Sequence, residues 1–138
     1  MLIEKNDINN QALLGVFRSA YIDASMDDDG ELEVDLDGMR IFVDVSKDKG
    51  FLMLRSMYGL KDDTLRTQAL ELCNRLNDKM VMVRFCCPAA VDHLILYADH
   101  FTVLEGGITG QEIVSLIRRF HSVIQEGIGS NDTEDVLR

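Results

Sequence analysis

The spacing of hydrophobic positions changes several times along this chain, and each change marks an element. Over residues 9–22, Leu13, Val16, Phe17, Ala20 and Tyr21 share one stripe while Asn10, Gln11, Arg18 and Ser19 are polar, the spacing of an amphipathic helix. Asp7 stands before it as a candidate N-cap. Gly15 weakens its middle by about 1 kcal/mol relative to alanine, so packing must hold this helix. An acidic turn follows over residues 25–30, and the period then drops to two. Leu32, Val34 and Leu36 alternate with Glu31, Glu33 and Asp35. Asp37-Gly38 comes next, a strong hairpin signal because both central positions of a type I′ turn need positive φ. Residues 39–45 form the return strand and residues 51–57 a third, joined by a turn at Lys47-Asp48-Lys49-Gly50. Three strands on short links predict an antiparallel meander.

Helical spacing returns over residues 61–78, where Leu65, Ala69, Leu72 and Leu76 align and Asp62 or Asp63 can cap the start. Residues 80–85 read as a strand, and a run from Asp92 or His93 to Ala98 as its partner, with Pro88 in the connection. The last helix is expected over residues 110–125. Thr109 and Glu112 make a capping box, Ile113, Leu116, Ile117, Phe120 and Ile124 the apolar stripe, and Gly127 and Gly129 the end. The order α-β-β-β-α-β-β-α predicts an α+β fold, a two-layer α/β sandwich with a five-stranded antiparallel sheet and helices on one face. One domain is expected over residues 1–129, followed by a polar tail, 130–138, that frays.

The pleat then assigns faces. Leu32, Val34, Leu36, Ile41, Val43, Val45, Leu52, Leu54, Val81, Val83, Phe85, Leu94 and Leu96 are expected to face the helices. The opposite face receives Arg40, Phe42, Asp44, Phe51, Met53, Arg55, Met57, Met80, Met82, Arg84, Cys86, His93, Ile95 and Tyr97. A solvent face should be polar. Methionine, aromatics and arginine are instead the residues enriched at protein interfaces. Phe42, Met53, Arg55, Met82, Arg84, Ile95 and Tyr97 are therefore the candidates for protein contact. Three readings stay open: a covering segment, a homodimer interface, or a site for another protein.

Charge narrows the partners. The formal charge of the 138 residues is −10, so the phosphates of nucleic acid and anionic membrane surfaces meet an unfavourable field, and neither is an expected partner. Asp27, Asp28, Asp29, Glu31, Glu33 and Asp35 gather much of the negative charge on the first hairpin, suiting it to a basic partner. Residues 1–7 have neither the basic nor the apolar region of a signal peptide, and no run approaches the roughly 20 apolar residues of a membrane helix. A cytoplasmic protein with reduced thiols is expected.

Candidate chemistry is sparse. Ser25, Asp27 and Asp29 with Gly30 resemble the opening of a calcium loop, but the twelfth position is Leu36 where a bidentate glutamate is needed, and a hairpin turn is the expected outcome. Cys73, Cys86, Cys87, His93 and His100 contain no C-x-x-C pair, and adjacent strand cysteines point to opposite faces, so inert thiols and no metal are expected. His121, at the edge of the last helix's stripe, reads as a surface or packing residue. No nucleophile elbow and no phosphate loop occur. No catalytic residue and no cofactor are expected.

Leu70-Glu71-Leu72-Cys73-Asn74-Arg75-Leu76-Asn77, then a strand pair, then Leu104-Glu105-Gly106-Gly107-Ile108-Thr109 and the helix bearing Arg118-Arg119-Phe120, resembles bacterial YbjN-like domains and the wider fold of type III secretion chaperones over residues 9–128. The resemblance implies a non-enzymatic YbjN-like regulator or chaperone-like adaptor. An acidic immunity or inhibitor protein that neutralises a basic partner is the alternative, and a small-molecule sensor a third.

Overall fold

The first helix, α1 (Asn10–Ser19), starts where Asn9 accepts the Ala12 N–H on its side chain, so Asn9 is the cap in place of Asp7. It ends three residues earlier than its apolar stripe suggests. Ile22 N–H bonds to the Phe17 carbonyl and Tyr21 N–H to that of Arg18, with Tyr21 at φ +59°: a Schellman ending built on a tyrosine. The chain is thereby freed to form β2 (Asp23–Met26), which pairs antiparallel with β3 (Leu32–Leu36). The sheet therefore has six strands and not the expected five. A short β1 (Leu2–Ile3) precedes α1, and β4 (Met39–Val45) and β5 (Phe51–Gly59) complete the meander. The computed structural model describes residues 1–88 and 94–138.

Helix α2 (Arg66–Lys79) begins at Leu65, whose N–H donates to the Gln68 side chain; neither Asp62 nor Asp63 caps it. The next strand, β6 (Arg84–Cys86), is shorter than the expected 80–85. After α2 the chain bends, and Met82 sits at φ +75°, so the pleat begins only at Arg84. Val81, expected inside, is consequently exposed, while Met80 and Met82, expected on the outer face, pack against the core. The partner strand β7 (Ile95–Val103) runs five residues further than expected, and its expected start at Asp92 or His93 lies outside the described residues. β8 (Ile108–Thr109) pairs with β1.

Helix α3 (Gly110–Asn131) opens on the expected capping box of Thr109 and Glu112, but runs through Gly127 and Gly129. Gly127 is needed for close approach: a Cβ there would stand 2.8 Å from Met80 Cγ. The tail beyond does not fray. Asp132 accepts the N–H groups of Val136 and Leu137, both side chains are buried, and Leu137 bridges to Leu60.

The strand order is β2-β3-β4-β5-β7-β6, antiparallel throughout. One face of this sheet meets the three helices. Leu32, Val34, Ile41, Val43, Leu52, Leu54, Phe85 and Leu96 pack there against Phe17, Leu72, Leu76, Ile117 and Phe120. Each large side chain removed from water contributes about 1.5–3 kcal/mol, and the core forms one continuous cluster. Among the described residues no helix covers the other face of the sheet.

Candidate protein-contact face

Register places the outward side chains in rows. Glu33 pairs with Phe42, Phe42 with Arg55, Arg55 with Asp99 and Asp99 with Arg84, so one row crosses β3, β4, β5, β7 and β6. Beside it run Asp44, Met53 and Phe101, then Phe51 and Val103; on the other side run Met57, Tyr97 and Cys86. Of the contact candidates, Phe42, Met53, Arg55, Arg84, Ile95 and Tyr97 thus share one surface, and Met82 does not. Phe101 and Val103 belong to it as well. The expected strand stops at Ala98 and so leaves them out; in the structure Asp99, Phe101 and Val103 continue the same period.

Cations and rings organise this surface. Arg84 donates from Nε and Nη2 to the two carboxylate oxygens of Asp99, at 3.0 and 2.6 Å. That bidentate bond raises the Arg84 pKa above its ordinary value. The same guanidinium lies 5.7 Å from the Phe101 ring centre, and Phe101 meets Phe51 edge-on at 5.5 Å. Arg55 stands 6.0 Å from the Phe42 ring centre. Its Nε is buried without an acceptor among the described residues, and both oxygens of its in-register neighbour Asp99 are engaged by Arg84. Phe51, Phe101 and Val103 are 41, 46 and 72% exposed and adjoin one another, and Met57, 41% exposed, lies across the Arg55–Asp99 row from them on the same sheet face.

The acidic hairpin lies along the β2–β3 margin of the same sheet. Asp27 is used locally: its Oδ1 accepts the N–H groups of Asp29 and Glu31 at 2.9 Å, which closes the turn as an ordinary Asx-type hairpin. Glu33 faces Arg40 at 3.5 Å, and Asp35 accepts the Gly38 N–H. Asp28, Asp29 and Glu31 are exposed and meet no cation among the described residues.

Burial distinguishes the thiols from one another. Cys73 is buried in α2, and desolvation pushes its pKa up to about 12; desolvation raises that of half-buried Cys86 too. His100 is held between the Met82 carbonyl at 2.7 Å and Thr102 Oγ1 at 3.0 Å, and His121 is buried at 8% exposure. Among the described residues no group of three His, Cys, Asp or Glu side chains could hold a metal; His93 lies outside them. A concavity of about 780 Å³ is an open groove between α1 and α3 lined by Ala12, Gly15, Val16 and Val114. Among the described residues no helix is long and apolar enough to cross a membrane.

A helix-covered antiparallel sheet with a methionine- and aromatic-bearing outer face defines an α+β domain, and solved structures share this fold. A chain of the HopA1–SchA chaperone–effector complex matches with TM-score 0.55 at 16% identity, covering 86% of this chain and 90% of that one. The crystal structure of E. coli YbjN, described as "a putative transcription regulator", matches with TM-score 0.80 at 13% identity, covering 100% of this chain and 99% of that one. The family YbjN, described as "Putative bacterial sensory transduction regulator", matches residues 9–128, and the chain belongs to it. No curated protein matches.

Proposed function

We propose that this chain is a non-enzymatic, cytoplasmic protein-binding regulator or chaperone-like adaptor that acts through its bare sheet face and its acidic hairpin. The display of Phe51, Met53, Met57, Phe101 and Val103 around three arginines carries the reading. Water-exposed rings and thioethers on a sheet are costly unless a partner covers them, and arginine among aromatics is the composition of interface hot spots. Membership of a regulator family supports it, as does a fold shared with a chain of a chaperone–effector complex. The test is quantitative affinity capture from native cells with wild-type and Met53→Asp baits. A stoichiometric partner lost with Met53→Asp is the expected result, and equal capture by both baits refutes the role of this face.

One observation favours an inhibitor of a basic partner as a second reading: Asp28, Asp29 and Glu31 stand exposed without cations among the described residues. Reversing all three to lysine then abolishes binding, and the wild-type affinity falls steeply with salt.

A further inference from the structure

We propose that Cys73 and Cys87 are a peroxide-responsive thiol pair, which closes an intramolecular disulfide and staples α2 to the edge strand β6. This goes beyond the protein-contact reading and does not depend on it.

Two side chains of α2 fix how the helix lies along the strand. Asn77 clasps the backbone of Phe85: its Nδ2 donates to the Phe85 carbonyl and its Oδ1 accepts the Phe85 N–H, each at 2.9 Å. At the other end Arg66, the first residue of the helix, donates from Nη2 to the Cys87 carbonyl and from Nη1 to that of Pro88, each at 3.2 Å. Helix and strand are therefore antiparallel here. Cys73 lies one helical turn from Asn77 towards Arg66, a step of about 6 Å. Cys87 lies two residues past Phe85 in the same direction, a step of about 6.6 Å at strand spacing. The two steps match, so Cys73 comes opposite Cys87.

The phases agree as well. Cys73 and Asn77, four apart, share one face of α2. Cys87 shares the inward face of its segment with Phe85, and both cysteines are 6% exposed. Cα atoms of α2 and β6 come within 8 Å of one another. Cys86, between Phe85 and Cys87, takes the outer face instead, in register with Tyr97. The pKa of Cys73, up to about 12, is raised first by burial and next by the neighbouring Cys87, as this placement requires.

The two sulfurs have different roles. Arg66 Nη1 stands 3.9 Å from Cys87 Sγ, so a cation is at hand for the negative charge that attack requires. Burial keeps Cys73 a neutral thiol. Hydrogen peroxide is the oxidant, being small and uncharged. Cys87 sulfur attacks one peroxide oxygen: an S–O bond forms, the O–O bond breaks, and the departing hydroxide takes the Cys87 proton as water. Cys73 sulfur then attacks the Cys87 sulfenic acid: the S–S bond forms, the S–O bond breaks, and hydroxide leaves with the Cys73 proton as a second water. Two thiols lose two electrons, and one peroxide becomes two waters.

The test is peroxide treatment of the folded Cys86→Ser variant, followed by unfolding with excess maleimide and intact-mass analysis. The expected product is lighter by two hydrogens, carries no maleimide, and regains two reactive thiols with dithiothreitol. It should also melt several degrees higher than the reduced form. With Cys73→Ser in the same background, dimedone should trap a sulfenic acid on Cys87, and Arg66→Gln should slow that trapping several-fold. With Cys87→Ser, Cys73 should stay unmodified. Wild-type protein keeps the test independent of whether these variants fold. Oxidised folded, it should leave Cys86 as the cysteine that takes maleimide, located by fragmentation. Oxidised in urea, Cys86 and Cys87 should pair with Cys73 about equally, since the two loops differ by one residue. Two maleimide-labelled cysteines after peroxide treatment of folded Cys86→Ser overturn the proposal. So does added oxygen without the bond, or a folded wild type that pairs Cys73 with Cys86 as readily as with Cys87.

Discussion

Tyr21 shows how much a single residue can decide. It is 99% exposed and held at φ +59°, where an L side chain crowds the backbone. Tyr21→Gly is expected to raise the unfolding free energy by about 0.5–1 kcal/mol, the relief of that conformation less the added freedom of the unfolded chain, read by denaturant titration. The thiols give a second check at this scale. The thiolate is the reactive form, so a group whose pKa is raised reacts only as pH climbs towards that value. Half-buried Cys86 should be the thiol that Ellman's reagent reaches first in the native protein at pH 8, and Cys73, at about 12, should stay silent until the chain unfolds. Fast labelling of Cys73 in the native state would contradict its placement. The Thr109–Glu112 cap and the Asp37-Gly38 turn were legible from residue types alone, because each is a local solution to unpaired backbone groups. The ending on Tyr21 was not, since the usual glycine is missing.

Elements inherit these local decisions. Strand β2 was hidden because Asp23-Ala24-Ser25-Met26 has no β-branched residue and only one buried side chain; its pairing with β3 creates it, not its propensity. The bend before β6 was hidden for the converse reason: Met80 to Arg84 alternates acceptably, but Met82 takes positive φ and turns the alternation off. Two glycines separate backbone need from packing. Gly107 has φ +80°, and a Cβ there would stand 2.6 Å from the Ile3 carbonyl oxygen. Gly107→Ala should therefore cost roughly 1–3 kcal/mol and speed amide exchange at Ile3, detaching β1 from β8. Gly15 has ordinary helical φ and nothing within 4 Å of a Cβ, so Gly15→Ala should stabilise by up to about 1 kcal/mol. Equal effects of the two substitutions would contradict the structure.

At the scale of the whole molecule, helices pack on one side of the sheet and, among the described residues, leave its other side open. The inner and outer assignments on β3, β4 and β5 followed from period-two alternation, because a buried face fixes register. What alternation could not convey was the row linking Glu33, Phe42, Arg55, Asp99 and Arg84, which joins residues up to 66 positions apart and exists only once the strand order is known. The docked tail was equally out of reach: Val136 and Leu137 are two apolar residues in a polar segment, and Leu60 waits for them far away in the chain. Under the proposed function, protein covers this face in the cell. Oxidative footprinting of the methionines in native cell extract, set against the purified chain at high dilution, measures that coverage directly. Met53 and Met57 should oxidise several-fold more slowly in extract, with exposed Met1 unchanged as the internal control. Equal oxidation of Met57 in extract and in dilute solution would mean that the face is bare in the cell, and the proposed function would fail with it.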